Sequence, residues 1–306
     1  MGDAAGGGRM KLGFIGLGRM GHNVVLNLLS KKHEVVAYNR SADKVRKIVK
    51  KGAIGAYSAG ELARKLARPR TIIIMISAGK PVDAVIRQLL PLLSKGDTLV
   101  EAGNSWFEDS IRRYKLCKGK GVNFLDMGTS GGLKGARYGA SLMIGGDKQA
   151  FKRLEKLFTD MAARDGYAYV GASGAGHFVK MVHNGIEYAL EEAYGEGFEV
   201  LKKCPYKLDL AKVARVWSSG SIIRSFLSEL AEQAFRKDPE LRKFKGAIGG
   251  GETGAWALKV AKKEMVEMET LAHALRVRKQ SLKKQTFATK LVSALRAEFG
   301  GHKEAK

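Results

Sequence analysis

The sequence lacks the features that mark secreted scaffolds and membrane proteins. It has only two cysteines, Cys117 and Cys204, which are too few and too far apart for a disulfide framework. Its longest aliphatic run covers residues 72–76, whereas a helix that crosses a bilayer needs about 20 apolar residues. The first residues carry no apolar core of a secretory signal. We therefore expect a protein of the reducing cytoplasm with no membrane partner.

Acidic residues are scarce relative to basic ones: 30 Asp and Glu stand against 54 Lys and Arg, which gives a net charge of +24. A large positive charge is one mark of nucleic-acid binding. Here, however, the bases are spread along the whole chain among acids, and no RNA-recognition motif is present. We do not expect nucleic acid as the main partner, although RNA binding as a salt-dependent side activity stays open. A basic field also steers small anions towards a cleft.

The sequence does contain a change of pattern at about residue 172. Before it, short apolar runs alternate with amphipathic stretches, which is typical of a mostly parallel, doubly wound Rossmann sheet with helices on both faces. After it, only helical periodicity is present. We predict a flexible leader at 1–9, with Met10 as an alternative start, and a dinucleotide-binding domain at 10–172. An all-helical substrate and dimerisation domain follows at 173–306.

The individual elements follow from the same periodicities. Strands are predicted at 11–16, 34–38, 71–76, 97–102, 122–126 and 141–146. Helices between them are predicted at 19–31, 41–51, 59–67, 81–93, 106–119 and 148–162. In the helical domain, the pattern predicts one long helix at 174–203 and further helices at 209–216, 221–237, 255–277 and 281–298.

A glycine-rich motif follows the first predicted strand and opens the first helix, which is the context that a dinucleotide site requires. Its first glycine would allow the tight turn, its second the approach of a pyrophosphate and its third the close packing of helix on strand. The helix N-terminus would favour the phosphate charge. A glycine-rich turn without a ligand is the alternative. The motif consists of Gly16, Leu17, Gly18, Arg19, Met20 and Gly21.

The end of the second strand indicates which nicotinamide cofactor is bound. NAD sites usually place Asp or Glu there to bind the ribose 2′-hydroxyl, but this chain has Asn39, Arg40 and Ser41. Asn39 carries no charge that would repel a 2′-phosphate, and the guanidinium of Arg40 can pair with one. We therefore expect NADP, with NAD possible. The alternative is that Arg40 only stacks on the adenine.

Two polar loops are expected at the carboxyl ends of the strands, where ligands bind in open α/β sheets. The first, at 101–105, contains Asn104. The second, at 128–139, contains Ser130, Gly131 and Gly132, whose hydroxyl and free backbone N–H groups could bind an anion. Plain glycine-rich turns remain the alternative. No metal site is expected.

The long helix at 174–203 displays four polar residues, Lys180, His183, Asn184 and Glu187, at the spacing i, i+3, i+4 and i+7. This spacing places them on one face of the helix. A lysine can act as a base when its pKa is lowered, and a glutamic acid can donate a proton when its pKa is raised. A solvated helix face with a Lys/Glu pair is the simpler alternative.

Several of these motifs together resemble the decarboxylating 6-phosphogluconate dehydrogenases, and in particular their short form. The resemblance is collinear over residues 10–302. The wider β-hydroxyacid dehydrogenase superfamily shares a lysine at the position of Lys180 and an asparagine at that of Asn184. It does not share the full HNGIEY pattern at 183–188. The matching segments are GLGRMG at 16–21, EAGNSW at 101–106, SGGLKGARYGASLMIGG at 130–146, GHFVKMVHNGIEYA at 176–189 and RAEFGGH at 296–302.

The resemblance implies specific roles. Lys180 would be the general base of hydride transfer, and Glu187 would protonate C1 after CO₂ leaves. The groups that would hold the substrate's carboxylate and hydroxyls are Asn104, which also borders the cofactor, and Ser130, Gly131, Gly132, His183 and Asn184. The groups that would hold its phosphate end are Tyr188, either Arg276 or Arg278, Arg296 and His302. In this family the residues at the positions of Arg296 and His302 reach the site of a partner subunit, which implies a homodimer or homotetramer.

The sequence departs from the family at a few positions. NAD-dependent short forms usually carry an acid where Asn39 stands. Glu191 and Glu192 replace a pair that is often neutral, and Ala255 stands where Arg is common. The implied function is NADP-dependent oxidation and decarboxylation of 6-phosphogluconate in pentose-phosphate metabolism or gluconate utilisation. Two alternatives remain: a dehydrogenase of a small acid such as 3-hydroxyisobutyrate, and a non-catalytic NADP-binding protein.

Overall fold

The computed structural model describes residues 8–305 and divides into two compact units, with the boundary between Lys180 and Met181. The predicted leader at 1–9 lies outside the described residues except for Gly8 and Arg9. Within the described part of the chain, none of the helices combines the length and the apolar character needed to cross a membrane.

The first unit is built on one eight-stranded sheet with the order β3-β2-β1-β4-β5-β6-β7-β8. Neighbouring strands are parallel except for β6 and β7, so the predicted mostly parallel sheet is confirmed. The strands are β1 Lys11–Ile15, β2 Glu34–Tyr38, β3 Ile54–Ala56, β4 Thr71–Ile74, β5 Thr98–Glu101, β6 Asn123–Ser130, β7 Ala140–Gly146 and β8 Ala162–Gly171.

Helices cover this sheet on both faces, as the apolar strands require. Ile73 packs into one core cluster, while its neighbours Ile72 and Ile74 pack into another, so strand β4 is buried on both sides. The helices of this unit are α1 Arg19–Ser30, α2 Ala42–Val49, α3 Ala59–Arg64, α4 Lys80–Leu89, α5 Phe107–Lys118, α6 Gly132–Tyr138, α7 Lys148–Arg153 and α8 Glu155–Met161.

Four parts of this unit differ from the prediction. Strand β3 has only three residues, and edge strand β8 has no buried residue and consists mainly of Ala, Gly and Tyr, so neither has the apolar run that signals a buried strand. Helix α6 forms inside the segment 128–139, where a glycine-rich loop is predicted. The helix predicted at 148–162 is two short helices that meet at Leu154.

The second unit consists of helices around one apolar core, as predicted. Helix α9 begins in the first unit and continues into the second. The helices are α9 Ala175–Lys203, α10 Leu210–Ser218, α11 Phe226–Lys237, α12 Glu252–Lys263, α13 Glu269–Ser281 and α14 Phe287–Gly300.

The single helix predicted at 255–277 is wrong, because α12 and α13 are separated by a Schellman turn. Met265 adopts a left-handed φ of 56°. The N–H of Val266 donates to the carbonyl of Ala261 at 2.8 Å, and that of Met265 to the carbonyl of Lys262 at 3.3 Å. Helices usually end in this way at glycine or asparagine, so a methionine at this position gave no signal in the sequence.

Candidate active site

The three glycines of the first loop have local geometries that are compatible with the three roles expected from the motif. Gly16 has a φ of 111°, and a Cβ there would collide with the carbonyl of Met75. Gly18 has no atom within 4 Å of the position of a Cβ, which leaves its backbone open to a ligand. A Cβ on Gly21 would collide with the carbonyl of Gly16, so helix and turn pack directly on each other. The loop therefore fits a pyrophosphate.

The N-terminus of helix α1 is suited to an anion. Gly18 is its N-cap and offers no side-chain cap, and its first turn, which starts with Arg19 and Met20, contains no acidic residue. The first N–H groups of a helix have no partners within the helix and carry its positive dipole end. This half of the candidate site can therefore hold the phosphates of a dinucleotide.

Asn39 has a structural function that the sequence did not reveal. Its side-chain oxygen accepts a hydrogen bond from the backbone N–H of Leu17 at 2.9 Å, and this bond fixes the glycine loop. The next residue, Arg40, is exposed at the surface, and Ser41 is the N-cap of helix α2. A neutral acceptor thus supports the loop, and an exposed guanidinium stands beside it.

The loop after β5 is held by a buried carboxylate. Glu101 accepts hydrogen bonds from the N–H of Gly103 at 3.2 Å and from the hydroxyl of Ser105 at 3.0 Å, and it pairs with Arg113 at 3.3 Å. Asn104, between these two anchored residues, is exposed. The carboxamide of Asn104 is therefore presented by a rigid turn.

The loop after β6 depends on two glycines. Gly131 and Gly132 have φ values of 115° and 62°, which a residue with a side chain rarely adopts. Ser130 ends the strand just before them. The sequence predicted this loop as a binding element, and its backbone conformation is specific to glycine.

Helix α9 is fixed at its start by Asp126, a residue that belongs to none of the motifs in the sequence. The buried carboxylate of Asp126 accepts hydrogen bonds from the N–H groups of Gly174 at 2.7 Å and His177 at 3.0 Å. The imidazole of His177 is in turn bonded to Ser110 at 2.7 Å. A cap supplied by a strand residue 48 positions away leaves no local signal, and the one hint in the sequence is a carboxylate at the end of the strand predicted at 122–126.

Lys180 lies one turn after this cap and is only 6% exposed. Its stem passes over Gly128, where a Cβ would collide with the Cβ of Lys180 and lie 3.1 Å from its Cγ. The glycine therefore makes the space that the lysine occupies. A buried amine fixed in this way is suited to proton transfer at a defined point.

The other polar residues of the row follow on the same helix, as the spacing predicted. Asn184 is buried and donates to the hydroxyl of Thr253 at 3.3 Å. The imidazole of His183 lies 3.1 Å from the side-chain oxygen of Asn184 and 3.6 Å from the carboxylate of Glu187. Thr253 also bonds to the hydroxyl of Tyr188 at 2.9 Å, a partner that the sequence did not reveal.

The structure distinguishes the two candidate arginines of the phosphate end. The guanidinium of Arg278 lies 3.6 Å from the centre of the Tyr188 ring and pairs with the carboxylate of Glu191. Burial lowers the pKa of Arg278 and raises that of Glu191 to about 7. Arg276, by contrast, is exposed. The geometry favours Arg278 over Arg276 as the arginine associated with Tyr188.

The two residues near the carboxyl end lie together within the second unit. Arg296 donates to the carbonyl of Gly249 at 2.9 Å. His302 follows the left-handed residue Gly301 that ends helix α14, and its ring packs on Phe299. Arg296 and His302 line one shallow pocket.

Comparison with known proteins connects both units to one family. Residues 11–173 match the model of the NAD binding domain of 6-phosphogluconate dehydrogenase, and residues 176–298 match that of its C-terminal domain. The chain is 44% identical over 299 residues to the NAD(+)-dependent, decarboxylating 6-phosphogluconate dehydrogenase of Haloferax volcanii, which covers 97% of this chain and 99% of the relative. It is 40% identical over 260 residues to decarboxylating 6-phosphogluconate dehydrogenase 1 of Saccharomyces cerevisiae, covering 80% of this chain and 53% of the relative.

Solved structures agree with this result. The 6-phosphogluconate dehydrogenase of Plasmodium falciparum superposes with a TM-score of 0.81 and 34% identity, covering 89% of this chain and 62% of that one. A 3-hydroxyisobutyrate dehydrogenase of Mycobacterium tuberculosis superposes with a TM-score of 0.74, but its 19% identity shows the fold alone.

Proposed function

This chain belongs to the 6-phosphogluconate dehydrogenase family, and we propose that it oxidises and decarboxylates 6-phosphogluconate to ribulose 5-phosphate and CO₂. The observation that supports this most is the buried Lys180, held by the capped start of helix α9 and followed on the same helix by Asn184 and Glu187. A nicotinamide dinucleotide supplies the hydride acceptor.

Lys180 acts as the base in this proposal. Its amine takes the proton of the C3 hydroxyl while the C3 hydrogen leaves with its electron pair, which gives the 3-keto acid. The C1–C2 bond then breaks and CO₂ leaves, while the ketone takes up the electron pair of the broken bond. Lys180 returns its proton to the carbonyl oxygen, which completes an enediol. Proton transfer by a positioned group of this kind contributes about 10² to 10⁴ in rate.

Glu187 acts as the acid that protonates carbon. It donates a proton to the former C2 of the enediol, which becomes C1 of the pentulose. Its side chain is partly buried and lies 3.6 Å from the imidazole of His183. His183 and Asn184 hold the substrate's hydroxyls on the same helix, and the loop groups complete the binding of its carboxylate. These are Asn104, Ser130, Gly131 and Gly132.

The phosphate end of the substrate is assigned to Tyr188 and Arg278, with Arg296 and His302 donated by a second copy of the chain in a homodimer or homotetramer. The association of Tyr188 with Arg278 supports the first part of this assignment.

The cofactor preference is assigned to NADP because Asn39 is neutral and Arg40 is exposed. We place the enzyme in cytoplasmic pentose-phosphate metabolism.

A variant of Lys180 tests the assignment. Lys180→Met keeps a stem that packs on Gly128 but removes the amine. We expect kcat to fall at least about 10²-fold while the affinity for NADP stays within about twofold of that of the unaltered enzyme. Normal turnover by Lys180→Met would show that another group is the base.

A further inference from the structure

Two carboxylates and one imidazole converge within the second unit, away from the row that carries Lys180. Glu192 and Glu196 lie one turn apart on helix α9, and His273 projects from helix α13. One donor atom from each residue lies within 4.8 Å of the others. Nε2 of His273 is 3.0 Å from a carboxylate oxygen of Glu196.

Glu192 is the unusual member of this cluster because it is only 5% exposed. Among residues 8–305, no group donates a hydrogen bond to its carboxylate or forms a close ion pair with it. Buried charges in proteins are normally paired or bound to metals, because an uncompensated carboxylate loses its hydration without replacement.

The charged groups around Glu192 do not provide this compensation. Glu196 and Glu199 on its own helix are acidic, and burial together with the charge of Glu196 raises the pKa of Glu192 to about 7. On helix α13, His273 is bonded to Glu196, and Arg278 is paired with Glu191. The charges of His273 and Arg278 oppose this rise in the pKa of Glu192, but each is engaged by another carboxylate, and neither forms a close ion pair with Glu192.

We propose that Glu192, Glu196 and His273 form a binding site for a divalent transition-metal ion of the zinc class. Imidazole nitrogen with carboxylate oxygen suits Zn²⁺, whereas Mg²⁺ and Ca²⁺ prefer oxygen alone. Three protein ligands leave a fourth position for water, which fits a cluster whose Glu196 and His273 side chains are 57% and 46% exposed. Such an ion joins helix α9 to helix α13, and Glu191 and Arg278 pair across the same two helices.

None of the three residues has a role in the proposed reaction, so the site is tested by metal binding. The full-length protein is stripped with a chelator, dialysed and titrated with ZnCl₂ by calorimetry. We expect one Zn²⁺ per chain at this site and a melting temperature that rises with zinc, since a ligand that binds only the folded state stabilises it.

Two variants and one control assign the ion to these residues. Glu192→Gln and His273→Ala are expected to weaken zinc binding at least about tenfold, since loss of even an outer-sphere partner costs that much. Glu192→Gln keeps the shape of the side chain, and circular dichroism checks the fold of both variants. His22→Ala changes a histidine of helix α1 and is expected to leave zinc binding unchanged. The proposal is overturned if the unaltered protein binds no zinc. It is also overturned if both variants bind zinc as tightly as the unaltered protein does.

Discussion

Gly128 and Lys180 are packed against each other so closely that a side chain on the glycine would overlap the stem of the lysine. Gly128 lies in strand β6 and Lys180 in helix α9, so the contact sets the distance between the helix and the sheet of the first unit. The position of the candidate base therefore depends on a residue that performs no chemistry itself.

Gly128→Ala is expected to displace Lys180 and to lower kcat at least about 10²-fold, because a shift of about 1 Å in a reacting group has an effect of that size. Overpacking is also expected to reduce the free energy of unfolding by about 1–3 kcal/mol. Steady-state kinetics and urea unfolding measure the two effects. Gly197→Ala is the matched control, because no atom lies within 4 Å of its Cβ position and alanine favours helix. Unchanged turnover in Gly128→Ala would contradict this account.

Asp126→Asn tests the cap of helix α9. The amide keeps one acceptor oxygen but places an NH₂ group against the second backbone N–H, so one of the two hydrogen bonds is lost. We expect a loss of about 1–3 kcal/mol in the free energy of unfolding, as for a buried donor left unpaired. A fall in kcat is expected with little change in the KM for NADP. A variant that retains full stability and turnover would show that the cap does not position the helix.

Arg40→Asp tests the basis of cofactor preference. An aspartate at this exposed position repels a 2′-phosphate and can bind a 2′-hydroxyl, so the ratio of kcat/KM for NADP to that for NAD should fall at least about tenfold. Lys50→Asp, at the other end of helix α2, makes the same change of charge. It controls for the effect of the protein's overall electrostatic field on cofactor binding. If both variants shift the ratio equally, Arg40 does not contact the phosphate.

The two arginines of helix α13 are expected to differ in stability as well as in function. Arg278→Met leaves Glu191 buried without its partner, which costs about 3–5 kcal/mol in the free energy of unfolding. Arg276→Met changes an exposed residue and should stay within about 0.5 kcal/mol. Urea unfolding measures both variants. Glu191→Met combined with Arg278→Met should recover part of the loss, and equal stability of the two single variants would contradict the buried pair.

The parts of the fold that follow a repeating pattern were predictable from the sequence. The buried strands, the glycine loop and the row on helix α9 depend on local spacing, and the structure places each of them as expected. Strands β3 and β8 and the break at Met265 were missed because their residues lack the typical signals. The roles of Asp126, Gly128 and Thr253 depend on contacts between distant segments, which no single-sequence pattern reports.

The central claim is tested most directly by following the absorbance of reduced nicotinamide with 6-phosphogluconate as substrate, with NADP and NAD in parallel and with CO₂ release recorded. We expect rapid reduction of NADP with one CO₂ per NADPH and a weaker signal with NAD. If folded protein that binds NADP reduces neither cofactor, the proposed reaction is contradicted, and a small hydroxy acid such as 3-hydroxyisobutyrate becomes the next substrate to test.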